Sequence, residues 1–250
     1  MNLLIGLVAF ISEYLDSGLG MGYGTALAPI LIIMGYDLFR VIPAILFSQL
    51  VTDVAAVVCH HWAKNVNFRF HSYDLRIALL LGFISSIGVI ISVIVAIKIP
   101  RWFLTLYIGF LVSIMGVIIL ATVKNPVRFS WAKIIGVSFL ASFNKGISGG
   151  GYGPLVMGGQ LISGINVKSA VGITAFAEAV TCLVGFITYC VKGKFIDWKL
   201  IWLLTIFATL AVPLATFTVK NIRVDILKRL VGILITTLGL IILLKITAGS

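Results

Sequence analysis

Two glycine-rich stretches, residues 17–24 and 146–153, hold the backbone groups of this chain that are best suited to bind a ligand. Each interrupts a long apolar run, and a helix that restarts after such a break presents free N–H groups and a partial positive charge. Because glycine lets a ligand approach the backbone closely, a small anion fits there. The alternative is close helix packing, since both stretches carry glycines four residues apart. The candidate ligand-binding residues are Gly20, Gly22, Tyr23, Gly24, Gly149, Gly150, Gly151, Tyr152 and Gly153.

A lysine adjoins the second stretch. Lys145 lies far from either end of its apolar run, where a charged side chain is costly and marks a functional site by default. It could bind an anion or pair with an acid, and the alternative is a side chain that extends to the polar end of its segment. Asn144, Ser148 and Gln49 are neutral candidates for hydrogen bonds to the same ligand. The acids that could pair with Lys145 are Glu13, Asp16 and Glu178.

Two apolar runs carry polar side chains at helical spacing. Acids within apolar segments mark ion paths or proton relays in many membrane proteins. Glu178 is therefore the first candidate for proton coupling and Asp53 the second, whereas the alternative is a buried hydrogen bond or ion pair without a further role. The two polar faces are Ser48, Gln49, Thr52 and Asp53, and Thr174, Glu178 and Thr181.

The composition shows which kind of protein must position these residues. Of the 250 residues, 60% are hydrophobic and only 11% are charged, against about 25% charged in soluble domains. This excludes an ordinary globular enzyme and a disordered chain. The net charge of +11 comes from lysines and arginines at the ends of apolar runs, where they face anionic lipid headgroups rather than nucleic acid. We expect a multi-pass protein of the lipid bilayer, in a bacterial or archaeal inner membrane.

Hydropathy predicts eight membrane segments. Six are simple apolar stretches near the length of about 20 residues that spans a bilayer. The first and fifth are too long for one span, and each carries one of the glycine-rich stretches in its middle. The predicted segments are 2–35, 39–60, 75–97, 102–123, 131–164, 168–191, 199–219 and 224–245.

The chain repeats itself at an offset of 129 residues. Between positions 17 and 53 this offset gives nine identities, among them Gly20 with Gly149 and Tyr23 with Tyr152. We therefore predict an all-α membrane protein of two pseudo-symmetric four-segment halves, residues 1–124 and 125–250. Glycine-interrupted segments at matching positions of two halves are typical of the substrate site of a transporter.

The orientation of the halves depends on the interrupted segments. If each crosses once, the halves are parallel, and lysines and arginines other than Lys145 divide 10 to 8 between the two sides. If each is a re-entrant hairpin, the halves are inverted and the division is 11 to 7. The second arrangement fits the positive-inside rule better, although the margin is small.

Other chemical signals are weak. The cysteines Cys59, Cys182 and Cys190 lie in or near apolar runs, and their number and spacing indicate no disulfide framework. We interpret them as small hydrophobic residues. The adjacent pair His60 and His61 lacks the spacing of a helical zinc pair, so we place both at the interface. No nucleophile elbow, phosphate loop or zinc-protease motif occurs. We expect no enzymatic activity, no cofactor and no metal.

The sequence resembles the sulfite exporter TauE/SafE family over nearly its whole length. The resemblance rests on the alternating glycines of residues 18–29, on residues 146–154, on Gly35 and Gly164, and on residues 192–198. It implies transport of sulfur-containing or organic anions such as sulfite and sulfonates. The loop of the first half departs from the pattern of the second, with Lys64-Asn65 where the second has Gly193, and Asn67 where it has Asp197.

These observations predict an exporter of small sulfur-containing anions that works by alternating access around a site at the membrane midplane. The partners are the anion and the bilayer, and a homo-oligomer is left open. A carrier of carboxylates or 2-oxo acids is the first alternative, because backbone amides bind carboxylates as readily as sulfonates. A membrane subunit that transports nothing is the second.

Overall fold

The computed structural model describes residues 2–20, 22–121, 131–163, 165–193, 196–218, 233 and 236–244. Within these residues the secondary structure is helical throughout. The helices are α1 (Asn2–Leu19), α2 (Tyr23–Ile33), α3 (Leu38–Trp62), α4 (Tyr73–Lys98), α5 (Arg101–Ala121), α6 (Trp131–Ser148), α7 (Tyr152–Ile162), α8 (Val167–Val191) and α9 (Trp198–Thr218).

The predicted all-α, polytopic membrane architecture is confirmed. Four stretches of the described chain are long and apolar enough to cross a bilayer: Leu38–Trp62, Tyr73–Lys98, Lys168–Val191 and Trp198–Phe217. Shorter apolar helices accompany them. Most of the predicted eighth segment, 224–245, lies outside the described residues, although 236–244 are helical. The predicted junction near residue 124 and Gly164 of the family pattern also lie outside them.

Both predicted breaks are present. Helix α1 ends at Leu19 and α2 begins at Tyr23, while α6 ends at Ser148 and α7 begins at Tyr152. The connecting backbone is left-handed at Gly20, Gly22, Gly149 and Gly151, with φ of 68°, 142°, 74° and 78°, a conformation that glycine adopts without strain. Helices α2 and α7 have 11 residues each and are about 16 Å long, about half of the hydrocarbon core.

The helix bounds recur at the offset seen in the sequence. Helices α6, α7 and α8 each begin and end 129 residues after α1, α2 and α3. The capping residues recur as well, because Asp37 accepts a hydrogen bond from the backbone of Phe39 at the start of α3, and Asn166 accepts one from Lys168 at the start of α8. The division into halves 1–124 and 125–250 stays a prediction.

The helices of the two predicted halves interlock. Helix α1 packs against α9, and its counterpart α6 packs against α4. Helices α3 and α8 pack against each other, and they also contact α9 and α4 respectively. Large apolar side chains such as Phe83, Leu210 and Phe217 are exposed on the outer faces of α4 and α9, as expected for helices that contact lipid. The two breaks are thereby held inside a bundle of long helices.

Candidate functional site

The two breaks touch each other. The amide of Gly151 donates to Thr25 Oγ1 at 2.9 Å across the contact. A Cβ atom on Gly24 would overlap the carbonyl oxygen of Gly149, and one on Gly150 would lie 2.7 Å from the carbonyl group of Gly24. Neither position can hold a larger residue unless the backbone shifts. Close packing, which the sequence offered as the alternative role of these glycines, is therefore present in this conformation.

Several amides that the sequence assigns to a ligand have partners within the protein. The amide of Gly20 donates to the Asp16 carbonyl at 2.6 Å, and that of Gly149 donates to the Lys145 carbonyl at 2.8 Å. The amide of Gly150 donates to Ser148 Oγ at 3.1 Å. An anion that binds to these amides must displace at least one of these internal acceptors.

A buried charged network lies beside the breaks. Lys145 is fully buried, and its Nζ donates to Glu178 Oε1 at 2.7 Å and to Gln49 Oε1. The Gln49 amide nitrogen donates to Asp16 Oδ2 and to Glu178 Oε1, both at 2.9 Å. These four residues form two pairs at the offset of 129, Asp16 with Lys145 and Gln49 with Glu178. The structure thus joins the residues that directly precede both glycine-rich stretches with one residue of each polar face.

Two further acids are buried near this network. Glu13 has a hydrogen-bond donor at each oxygen, Ser17 Oγ at 2.6 Å and Thr52 Oγ1 at 3.0 Å. Asp53 is 3% exposed, and its Oδ2 has no hydrogen-bond partner. Asp53 lies near Asp16 and Glu178, with which it lines a cavity of about 10 Å³. The sequence named Asp53 and Glu178 separately and did not predict that they meet.

The remaining candidate residues bond within their own surroundings. Tyr23 bonds Ser48 Oγ at 2.8 Å, and Tyr152 bonds Ser85 Oγ at 2.9 Å, so both phenols reach neighbouring helices. Asn144 Oδ1 accepts from Tyr107, and Ser148 Oγ donates to the Asn144 carbonyl at 2.8 Å. Gly22 precedes α2, and Gly153 lies buried in the first turn of α7.

His60 is a residue of this region whose contacts the sequence did not predict. It lies in the last turn of α3, and its side chain is 4% exposed. Its Nε2 donates to the Ser17 carbonyl at 2.9 Å, while its Nδ1 accepts from the Asn65 amide at 3.0 Å. Tyr189, which lies 129 residues after His60, donates to the Gly146 carbonyl at 2.8 Å. The two helix-end contacts therefore lie at equivalent positions of the repeat.

An open cavity lies on the outer side of His60. It has a volume of about 430 Å³ and is lined by the loop that joins α3 and α4. Asn65 lines this cavity and also bonds His60, which in turn lines the small acidic cavity. Lys64 and Arg69 give this cavity a basic lining, in which Asp74 is the acid. A chain of side chains therefore connects the basic opening with the buried acids.

Comparison with known proteins identifies the family. The model described as sulfite exporter TauE/SafE matches residues 5–242. The chain belongs to this family. A bacterial relative described as "Probable membrane transporter protein YtnM", from Bacillus subtilis (strain 168), is 23% identical over 243 residues, which cover 92% of this chain and 78% of the relative. No solved structure gives a significant match to the chain.

Membership in the TauE/SafE family and the spanning helices together make this protein a membrane transporter. Its partners are accordingly a small-molecule substrate and membrane lipid. A multi-pass location in a bacterial cell membrane is consistent with the bacterial relative. The expectation that the protein is not an enzyme is consistent with a family of transporters.

Proposed function

We propose that the protein exports small sulfur-containing anions, such as sulfite or sulfonates, by alternating access around the two breaks. The observation that carries the proposal is the fully buried Lys145 in the last turn of α6, just before the break after which α7 begins. A buried ammonium is costly unless an opposite charge pairs with it, as Glu178 does here. Together with the helix N-termini that the breaks create, it forms an environment that favours an oxyanion. The family description supports sulfite as the representative substrate.

A carboxylate of the protein itself lies beside the first break. The Asp16 side chain is near the backbone N–H of Tyr23, the first residue of α2. A carboxylate at a helix N-terminus is stabilised by the free N–H groups and the helix dipole. This geometry supports the binding of a sulfite or sulfonate oxygen at the same kind of position.

The conformation described here corresponds to a closed state of the transport cycle. Gly24 is in backbone contact with Gly149 and Gly150, and the charge of Lys145 is matched by Glu178. An anion can therefore enter only when the breaks separate and Lys145 loosens its contact with Glu178. A positive charge that binds at Glu178 or Asp53 would favour the release of Lys145 from Glu178. A coupling ion, which the sequence predicts to be a proton, would act on the anion site in this way.

The proposal is tested by flux and competition with purified protein. Proteoliposomes should transport radiolabelled sulfite, and excess sulfonate should compete more strongly than an equal concentration of pyruvate. Lys145→Ala should reduce sulfite flux, whereas Lys199→Ala, which alters an exposed lysine at the start of α9, should not. Stronger competition by pyruvate would point to a carrier of 2-oxo acids. Absence of flux for every anion would contradict the proposal.

A further inference from the structure

A group of three acids beside Lys145 has the geometry of a cation site. We propose that Asp16, Asp53 and Glu178 bind one small monovalent cation, Na⁺, whose binding favours that of the transported anion. The coupling role rests on the proposed function, whereas the binding of the cation does not. The sequence alone predicts a proton at Glu178 or Asp53 and no metal, so the inference replaces that proton with a metal cation.

The three acids come from three helices and converge on one point. Asp16 lies on α1, Asp53 on α3 and Glu178 on α8, and each offers a carboxylate oxygen within 4.8 Å of the others. Two oxygens that each lie about 2.4 Å from one ion are at most about 4.8 Å apart. The three carboxylates therefore meet the spacing that contact with one cation requires. Its binding would tie the interrupted segment to the two central helices.

Asp53 supplies an independent sign that a ligand belongs here. Its Oδ2 is buried without a hydrogen-bond partner, and the residue is 3% exposed. Buried carboxylate oxygens are normally bonded, because an unpartnered one loses its hydration without compensation. Glu13 shows the ordinary arrangement, since Ser17 and Thr52 donate to its two oxygens. A bound cation would compensate the Asp53 oxygen for its lost hydration, as the hydroxyl groups of Ser17 and Thr52 do for the Glu13 oxygens.

The size and ligands of the cavity restrict the site to a small, dehydrated, hard cation. The volume of about 10 Å³ is close to the least that admits a single water molecule. Mg²⁺ retains several waters and is therefore too large in its hydrated form. Both ring nitrogens of His60 have other partners, so the ligands are oxygens, which suit a hard cation. Ser17 and Gly20 of the α1 terminus also line the cavity, at the end of a helix that favours positive charge.

The charges around the cavity favour a cation and link it to Lys145. Four carboxylates, those of Glu13, Asp16, Asp53 and Glu178, are buried in this region, whereas Lys145 is the buried ammonium among them. One more positive charge reduces this excess. Because Glu178 belongs to the cation group and also pairs with Lys145, a bound cation would weaken its hold on Lys145. The ammonium would then be available to the anion.

The test measures Na⁺ binding to the purified full chain without any transported anion. Binding of ²²Na⁺ and the unfolding temperature are followed in NaCl, KCl, CaCl₂ and choline chloride at equal ionic strength. We expect saturable stabilisation by Na⁺ that K⁺ and choline do not reproduce. Asp53→Asn should weaken the apparent Na⁺ affinity at least about tenfold. Glu13→Gln is the matched control, because it removes a buried charge outside the group; it should retain saturable Na⁺ binding and lose less affinity than Asp53→Asn.

Each outcome decides for or against the site. If Asp53→Asn fails to fold, Asp16→Asn tests the same prediction, and ²²Na⁺ binding to the unaltered protein needs no variant. Equal stabilisation by K⁺, stabilisation only by Ca²⁺, or Na⁺ binding that survives in both variants would overturn the inference. Na⁺ binding without sulfite flux would instead refute the proposed function, whereas sulfite flux without Na⁺ binding would refute only the cation site.

Discussion

The interrupted segment of the first predicted half and that of the second share a scaffold but differ in chemistry. Their helices begin and end at the same offset, and both breaks use left-handed glycines. At the centre, however, Asp16 corresponds to Lys145 and Gln49 corresponds to Glu178. The chain has thus placed an acid and a base at equivalent positions of two similar frames.

This difference shows how a repeated fold can build one asymmetric centre. Gln49 bonds both Asp16 and Glu178, and Lys145 bonds both Gln49 and Glu178, so each half completes the hydrogen bonds of the other. If both halves carried an acid at positions 16 and 145, the like charges would repel each other in a low dielectric. The opposite charges avoid this repulsion, and Gln49 links the two positions by hydrogen bonds, so a change at either one affects both halves.

The largest expected effect comes from removal of the charge that distinguishes the second half. Lys145→Met leaves the Glu178 carboxylate buried and unpaired, which should cost about 3–5 kcal/mol of unfolding free energy. The double variant Lys145→Met/Glu178→Gln should recover most of this loss, since it buries no lone charge. Denaturant unfolding in detergent measures both. A double variant as unstable as the single one would contradict a pairwise role.

The contact between the breaks gives the next largest effect. Gly24→Ala places a methyl group against the Gly149 carbonyl, and the overpacking should cost about 1–3 kcal/mol. Gly158→Ala in α7 is the matched control, because no atom lies within 4 Å of the added methyl group. It should leave stability unchanged or raise it by up to about 1 kcal/mol. Thermal unfolding that ranks the two variants equally would argue against the close approach.

A smaller loss of stability is expected when the helix-end contacts of the two halves are removed. Tyr189→Phe removes the hydrogen bond to the Gly146 carbonyl, and His60→Phe removes the equivalent bond to the Ser17 carbonyl. Tyr189→Phe should cost about 1 kcal/mol, the usual net value of one such bond, and His60→Phe up to about 1 kcal/mol more, because it also loses the bond to Asn65. Unfolding measured in parallel should show a loss for both variants. A loss confined to one variant would show that the two contacts are not equivalent.

The smallest effect concerns a difference at the helix caps. Asp37 caps α3 and also pairs with Arg101 at 2.6 Å, in an ion pair whose arginine is 69% exposed. Asp37→Asn keeps the cap and loses the charge, so it should cost less than about 1 kcal/mol. Asp37→Ala loses both the cap and the charge, so its loss of unfolding free energy should exceed that of Asp37→Asn by about 1 kcal/mol. Asn166→Ala, which removes the equivalent cap of α8, should cost about 1 kcal/mol relative to the unaltered protein. Equal losses for Asp37→Asn and Asp37→Ala would assign the stability to the ion pair instead.

The breaks and the repeat could be predicted because both leave marks in local sequence. Glycines at alternate positions within an apolar run indicate an interruption, and Gly20 and Gly149 share an offset with Tyr23 and Tyr152. Lys145 could be singled out because a charge in the middle of an apolar segment is rare. These inferences need only spacing and composition.

The partners of these residues could not be predicted, because they depend on how distant helices pack. Tyr23 bonds Ser48, but the residue equivalent to Ser48 is Ala177, so Tyr152 bonds Ser85 of another helix instead. The approach of Asp53 to Asp16 requires the placement of α1 against α3, and no local pattern encodes it. Hydropathy also places His60 at a segment end, where only tertiary contacts show its burial.

The proposed function depends most on Lys145, whose positive charge must bind the transported anion. The direct measurement is sulfite flux into proteoliposomes that contain the unaltered protein, Lys199→Met or the charge-balanced variant Lys145→Met/Glu178→Gln. The unaltered protein and Lys199→Met should transport at similar rates. The charge-balanced variant should fold and transport at least about tenfold more slowly, a loss of about 1.4 kcal/mol. Unaltered flux in that folded variant would contradict the account.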